Sequence, residues 1–241
     1  MRNVLDLCCK AGGVSRGLQN AGFNVVGIDV EPQPHYPDCF EFYQEDLRRV
    51  GARWVRQNFD FVWASPPCQD FTALKNMHPD KQYINLIPDA RNLIERAGLP
   101  AIIENVVGAP LHNPFMLTGT MFGLGVEYEG TWYQLLRERI FELHGLPPRM
   151  AGAVPKDRYD PELPVIGVYG GHARCRSAKH GGRGTKDFEG ASQRDLASKA
   201  MGIDWMTLAD MSQAIPPAYS NWLGEQVMDA LDEPRGKRVG I

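Results

Sequence analysis

The stretch Asn3-Val4-Leu5-Asp6-Leu7-Cys8-Cys9-Lys10-Ala11-Gly12-Gly13 decides the fold. Its first five residues read as a short strand, and the paired glycines permit a tight turn after it. Val14 to Ala21 then reads as a helix, closed by Gly22 in the left-handed cap position. Asn24-Val25-Val26-Gly27-Ile28 is a second strand, and it ends in Asp29. Strand, glycine turn, helix, strand and acid is the layout of a Rossmann-type half. It predicts an α/β protein with a mixed, mostly parallel sheet flanked by helices. The glycines do not follow G-x-G-x-x-G, which weighs against a nicotinamide dinucleotide. An acid at the end of the second strand suits the ribose hydroxyls of some adenosine ligand.

Further along, Cys39 to Tyr43 reads as a third strand, followed by Gln44-Glu45-Asp46-Leu47. Asp46 could accept from an exocyclic amine or simply cap a turn. Phe59 to Trp63 is an apolar, aromatic run that enters Ala64-Ser65-Pro66-Pro67-Cys68-Gln69-Asp70-Phe71. Two prolines fix φ twice and remove two donors, so the strand must end and turn there. Cys68 therefore stands where a parallel sheet opens its ligand crevice. A lone cysteine at such a point is more often packing than chemistry. Pro88 to Gly98 reads as a helix, and Ala101-Ile102-Ile103 as a strand that runs into Glu104-Asn105-Val106. A carboxylate at a second strand end shares the crevice with the thiol, and the two together mark a candidate site.

Bulk properties narrow the class. A chain of 241 residues, 43% hydrophobic and 23% charged, has the composition of a soluble globular protein. Its formal net charge of -3 places any nucleic-acid surface in a local patch. Five cysteines without a regular framework suit a reducing cytoplasm, which is the expected location. The N-terminus has no signal-peptide pattern and no apolar run is long enough to span a membrane. Neither a membrane nor an obligate protein partner is expected, and a monomer is anticipated.

The residues then resemble one family. Asp6 to Gly13 is similar to the cofactor turn of C5-cytosine DNA methyltransferases, usually Asp-Leu-Phe-x-Gly-x-Gly-Gly. Pro66-Pro67-Cys68-Gln69 resembles their nucleophile block, Glu104-Asn105-Val106 their Glu-Asn-Val block, and Arg137-Glu138-Arg139 their Arg-x-Arg strand. Ala200 to Asp204 and Gln213-Ala214-Ile215-Pro216-Pro217 resemble the last two blocks, so the likeness runs over nearly the whole chain. The resemblance implies S-adenosylmethionine as cofactor and a flipped cytosine in DNA as substrate. It makes Cys68 the nucleophile at C6, Glu104 the partner of N3 and the exocyclic amine, and Arg139, with Arg137 beside it, the holder of O2. Cofactor contacts carry over to Asp6, Leu7, Cys8, Lys10, Ala11, Gly12, Gly13, Asp29, Val30, Asp46, Leu47, Pro66, Gln213 and Ala214. Asp29 takes the ribose and Asp46 the adenine amine on that pattern.

The sequence also departs from the pattern. Lys10 replaces a glycine, either as a solvent-facing side chain or as an ammonium near the methionine end that would favour a carboxylated S-adenosylmethionine. Ser212-Gln213 replaces Gly-Asn, and Val30 replaces an aromatic residue. A catalytic domain is expected over 1–145 and 195–241, with a small target-recognition lobe over 146–194. In or beside that lobe Arg174, Arg176, Lys179, Arg183 and Lys186 cluster among glycines and suit phosphate contacts, as does Gln69 near the nucleophile. His172, Cys175 and His180 lack a fourth ligand, and no metal is expected. A nucleotide or RNA substrate with the same chemistry, and an inactive DNA-binding protein, remain the alternatives.

Overall fold

The computed structural model of the chain describes residues 1–68, 71, 84–180 and 187–233. The elements that frame the crevice are β1 (Asn3–Leu7), α1 (Gly13–Asn20), β2 (Asn24–Asp29), β3 (Glu41–Gln44), α2 (Ala52–Asn58), β4 (Phe61–Ala64), α3 (Ile87–Ala97) and β5 (Ala101–Asn105). After them come β6 (Phe115–Leu117), β7 (Gly125–Tyr128), β8 (Thr131–Leu135), β9 (Arg139–His144), α4 (Arg149–Gly152), β10 (Val165–Tyr169) and β11 (His172–Cys175). The helices α5 (Gln193–Met201), α6 (Leu208–Gln213) and α7 (Pro217–Asp232) close the described chain.

Seven strands form the main sheet in the order β3-β2-β1-β4-β5-β9-β6. The first five run parallel, whereas β9 pairs antiparallel with both β5 and β6. Strand order reverses between β1 and β4, and a crevice opens at the carboxyl ends of strands at such a switch. The glycine turn after β1 and the Pro-Pro-Cys turn after β4 both leave the sheet there. This is the Rossmann-like arrangement expected from the first thirty or so residues.

Both faces of this sheet are covered, and β4 and β5 are buried along their whole length. Leu5, Leu7, Val62 and Ile103 pack with Val55 of α2 and Leu93 of α3 on one face. Val4, Phe61, Trp63 and Phe141 pack with Leu18 of α1 and Leu223 of α7 on the other. The α1–α7 contact is close because two glycines allow it. A Cβ on Gly17 would lie 2.0 Å from Ser220 Oγ, and one on Gly224 would lie 2.7 Å from Ala21 Cβ. Arg2 completes the closure, bonding both Asp60 at 3.2 Å and Asp232 at 2.9 Å.

A second, four-stranded sheet has the order β11-β10-β8-β7. The stretch 146–194 therefore supplies two of its strands, and β7 and β8 come from earlier in the chain. Leu135, Ile166, Val168 and Ala173 of this sheet pack against Leu196 of α5 and Met211 of α6. Both helices start on side-chain caps. Ser192 accepts from Asp195 N, and Thr207 with Asp210 forms a capping box.

Candidate active site

The crevice has one side built around Cys68 and Glu104 and another around Asp29 and the glycine turn. On the first, Pro66 is buried and Cys68 is half-buried. Asn105, the last residue of β5, donates from Nδ2 to the Pro66 carbonyl at 3.0 Å and so pins the turn to the neighbouring strand. Glu104 is buried, and Arg139 Nε lies 3.1 Å from its Oε1. The Ser65 hydroxyl also bonds Glu104 and accepts from Trp63 Nε1 at 3.0 Å. Burial pushes the Glu104 carboxyl above its ordinary range, opposed by Arg139, Ser65 and Arg137. Burial, then the charge of Glu104, raises the Cys68 thiol, with Arg139 and Arg137 pulling the other way. The arrangement holds a thiol and a partly satisfied carboxyl beside a guanidinium whose second donor edge is not spent on Glu104.

Arg137 behaves differently from Arg139. Its backbone is left-handed at φ 43° and its side chain is fully buried. The guanidinium donates to the carbonyls of Val168 at 2.7 Å, Ser212 at 2.8 Å and Ala214 at 2.6 Å, and to Met211 at 3.3 Å. Burial, then repulsion from Arg139, lowers its pKa to about 9. The sequence reading put Arg137 beside Arg139 at the substrate; its donors are instead committed to holding the β8–β9 link against β10 and the end of α6.

On the other side, Asp29 is buried and accepts from the amides of Lys10 at 3.1 Å and Glu31 at 3.0 Å. Val30 next to it is 59% exposed, and Asp46 lies just past the end of β3, where Glu45 N bonds the Asp29 carbonyl. Arg48 holds the Asp46 carboxyl down to about 2. Leu47 is a core residue. Cys8 and Lys10 have left-handed backbones at φ 60° and 46°, a conformation that glycine adopts without strain. Lys10 reaches Glu31 at 2.7 Å and stands 3.8 Å from Asp29. Its ammonium is thus at the acid end of β2, where the sequence reading had considered the methionine end. Burial and then Asp29 push the Cys8 thiol up to about 12.

The glycine turn is bound to the closing block. Gly12 is left-handed at φ 81°, and a Cβ on Gly13 would meet the Ile215 carbonyl at 2.5 Å. Trp205 donates to the Ala11 carbonyl at 2.9 Å. Asp6 is fully buried below the turn; its Oδ2 accepts from Ser15 at 2.6 Å, whereas Oδ1 has no partner. Burial raises the Asp6 carboxyl to about 7. Leu7 is in the sheet core, Ala214 is buried and Gln213 is exposed.

The basic cluster is partly neutralised. Arg174 bonds Asp187 at 2.6 Å, Lys179 pairs with Glu162, and Arg176 lies over the Tyr169 ring. Gln69, Arg183 and Lys186 lie outside the described residues. Sequence reasoning overlooked Ser65, Glu31 and the Asn105–Pro66 bond, although each lies within two residues of a position it had singled out. It gave no weight to Tyr169, which lies against Arg137 thirty-two residues before it, or to Trp205, which bonds Ala11 across the fold.

Comparison with known proteins adds four findings. Residues 2–114 match the profile of the family described as C-5 cytosine-specific DNA methylase. The Type II methyltransferase M.AgeI of Thalassovita gelatinovora is 27% identical over 120 residues, 44% of this chain and 28% of that protein. The match therefore spans less than a third of that relative's length. A prophage-encoded E. coli protein assigned as a DNA modification methyltransferase superposes with a TM-score of 0.66 at 15% identity, over 97% of this chain and 100% of that one. The S. pombe Dnmt2 methyltransferase gives 0.59 at 14% identity, over 97% and 100%. At such identities the superpositions speak for the fold alone.

Proposed function

We propose that this chain, whose residues 2–114 match the C-5 cytosine-specific DNA methylase family profile, is a DNA cytosine-5 methyltransferase. The observation that carries the reading is the convergence of Cys68, Glu104 and Arg139 at the switch-point crevice, with Arg139 3.1 Å from Glu104. A flipped cytosine brings C6, N3 and O2 to three different groups at once, and these three residue types match them. The Cys68 thiolate adds at C6 and drives ring electrons toward C5 and N3. Glu104, its carboxyl raised by burial, is suited to carry the proton that N3 takes up. Arg139 binds O2, and the committed donors of Arg137 keep the strand that presents Arg139 in place. Once C5 carries the methyl group, loss of its proton to solvent re-forms the C5–C6 double bond and expels Sγ as the thiolate.

S-adenosylmethionine fits the other side of the crevice. Val30 exposes an apolar side chain next to Asp29, and Asp46 follows the Glu45 amide that bonds the Asp29 carbonyl, a set of groups that suits an adenine ring with its ribose and amine. Asp29 and Asp46 would hold the adenosine, and the backbone of Ala11 to Gly13 would face the methionine end. When bound, the cofactor supplies an electrophilic methyl group. Lys10, engaged with Glu31, gives no support to a carboxylated variant, and we assign the unmodified cofactor. Five free cysteines fit action in the cytoplasm.

The test is covalent trapping on duplex DNA containing 5-fluorocytosine, with S-adenosylmethionine present. A denaturation-resistant adduct that is lost in Cys68→Ser is expected. Absence of any adduct with the folded wild-type protein, across random sequence contexts, overturns the reading.

A further inference from the structure

A second cleft, of about 400 Å3, opens where the β8–β9 link meets β10, lined among others by Glu138, Ile166, Gly167, Tyr169 and Arg176. Its polar groups are set in place. Arg176 lies across Gly167, where an added Cβ would come within 2.4 Å of the arginine Cγ and 2.7 Å of Nε. The Arg176 guanidinium stands 5.2 Å from the centre of the Tyr169 ring, and Arg137 stands 5.2 Å from the same ring. Arg137 is itself fixed by carbonyls of β10 and the 211–214 segment. Arg176 is therefore preorganised by a glycine beneath it and a ring held by a buried cation. Arg174 and Lys179 spend their charge on Asp187 and Glu162, whereas Arg176 makes no ion pair with an acid among the described residues. Glu138, exposed in the same cleft, makes none with a cation among them.

An unpaired guanidinium and an unpaired carboxylate on an aromatic wall ask for a ligand that is both acceptor and donor. A phosphate would suit Arg176 but not Glu138. In the major groove one G·C pair offers both sets of groups on a single edge. Guanine O6 and N7 accept from an arginine fork, and the cytosine N4 amine donates to a carboxylate. Glu138, which lines the cleft, immediately precedes in sequence Arg139, the arginine paired with Glu104. We infer that this cleft reads a G·C pair beside the target cytosine, with Arg176 on the guanine and Glu138 on its partner. The inference rests on the DNA cytosine methylation proposed above.

The experiment is methylation of a random-sequence duplex library by the full chain with S-adenosylmethionine, followed by sequencing of the methylated positions. Wild-type protein is expected to favour a G·C pair, in one orientation and at one fixed offset, by about tenfold or more, the discrimination typical of such a contact. Arg176→Lys, which keeps the charge and loses the fork, flattens that preference, and Glu138→Gln weakens it. A uniform fall in methylation across all contexts in Arg176→Lys would make the residue a phosphate contact and overturn the inference. Wild-type methylation with no G·C preference at any fixed offset overturns it as well, and leaves the methyltransferase reading standing. Failure of the folded wild type to methylate any cytosine removes both. If either variant misfolds, the wild-type context profile still decides.

Discussion

The β5–β9 ladder carries two buried carboxylate–arginine pairs, one on each face of the sheet, and they are built to opposite ends. Glu104 stands opposite Phe141 and Glu142 opposite Ile103. Glu142 receives Arg91 in a two-point contact at 2.9 and 2.7 Å, His144 at 2.7 Å and the His112 amide at 2.7 Å. Burial alone would raise its carboxyl, but His144, Arg91 and His112 together hold it well below the ordinary range. Glu104 has one contact from Arg139 Nε and one from Ser65, and its carboxyl rises. A saturated acid holds a fold together. An acid left short of partners in a crevice keeps capacity for a ligand.

The largest effect should come from breaking the unsaturated pair. Glu104→Gln is expected to lower turnover by about a thousandfold, within the range of general acid–base contributions, with a melting temperature close to that of wild type. Single-turnover methylation and a thermal melt read the two halves of that statement. Breaking the saturated pair should do the reverse. Glu142→Ala leaves Arg91 without its partner and is expected to cost about 3 kcal/mol of stability in urea unfolding, with turnover per folded molecule retained. The pH dependence follows from the sign of the shift. Glu142 is lowered in the fold, so its stabilisation is present above the ordinary carboxylate pKa of about 4.3 and is lost as pH falls through the folded value. The acid limb of stability below about pH 4 should therefore be flatter in Glu142→Gln.

A smaller effect sharpens the comparison through Cys68. Glu104 contributes to the raised thiol, so alkylation of Cys68 in the free protein should rise with pH beyond the ordinary thiol range of about 8.5. In Glu104→Gln the same limb should move to lower pH, as read by mass spectrometry of the Cys68 peptide. The smallest effect belongs to Lys10–Glu31, an exposed pair of the kind that contributes little. Lys10→Gly relieves a left-handed backbone and loses that pair, so stability should change by no more than about 1 kcal/mol. The product mass from either S-adenosylmethionine or its carboxylated analogue should be the same as for wild type; a difference would return Lys10 to a role in cofactor choice.

The main sheet was legible because its signals are local. Strand, Gly12-Gly13 turn, helix and Asp29 lie within thirty residues, and the structure forms β1, α1 and β2 within a residue or two of the expected bounds. Cys68 and Glu104 were legible for the same reason: each ends an apolar strand. Arg137 was not, because its partners at Val168 and Ala214 are 31 and 77 residues away, and only the folded chain brings their carbonyls together. Lys10 was ambiguous because a charge in a turn does not announce which acid it will meet. The membership of the second sheet was equally hidden. β8 pairs in parallel with β10, thirty residues on, across a stretch with little local periodicity.

The Gly17–Ser220 and Gly224–Ala21 contacts have a consequence for how the chain is made. The cover over Val4, Phe61 and Trp63 is shared by α1, which starts at Gly13, and α7, which starts only at Pro217. Until residue 232 has left the ribosome, that face of the earliest strands has α1 but not α7 over it, although their turns and their other face can already form. A nascent chain released early would carry every residue of the proposed site up to Arg139 and still present a half-covered apolar face to the chaperones around it.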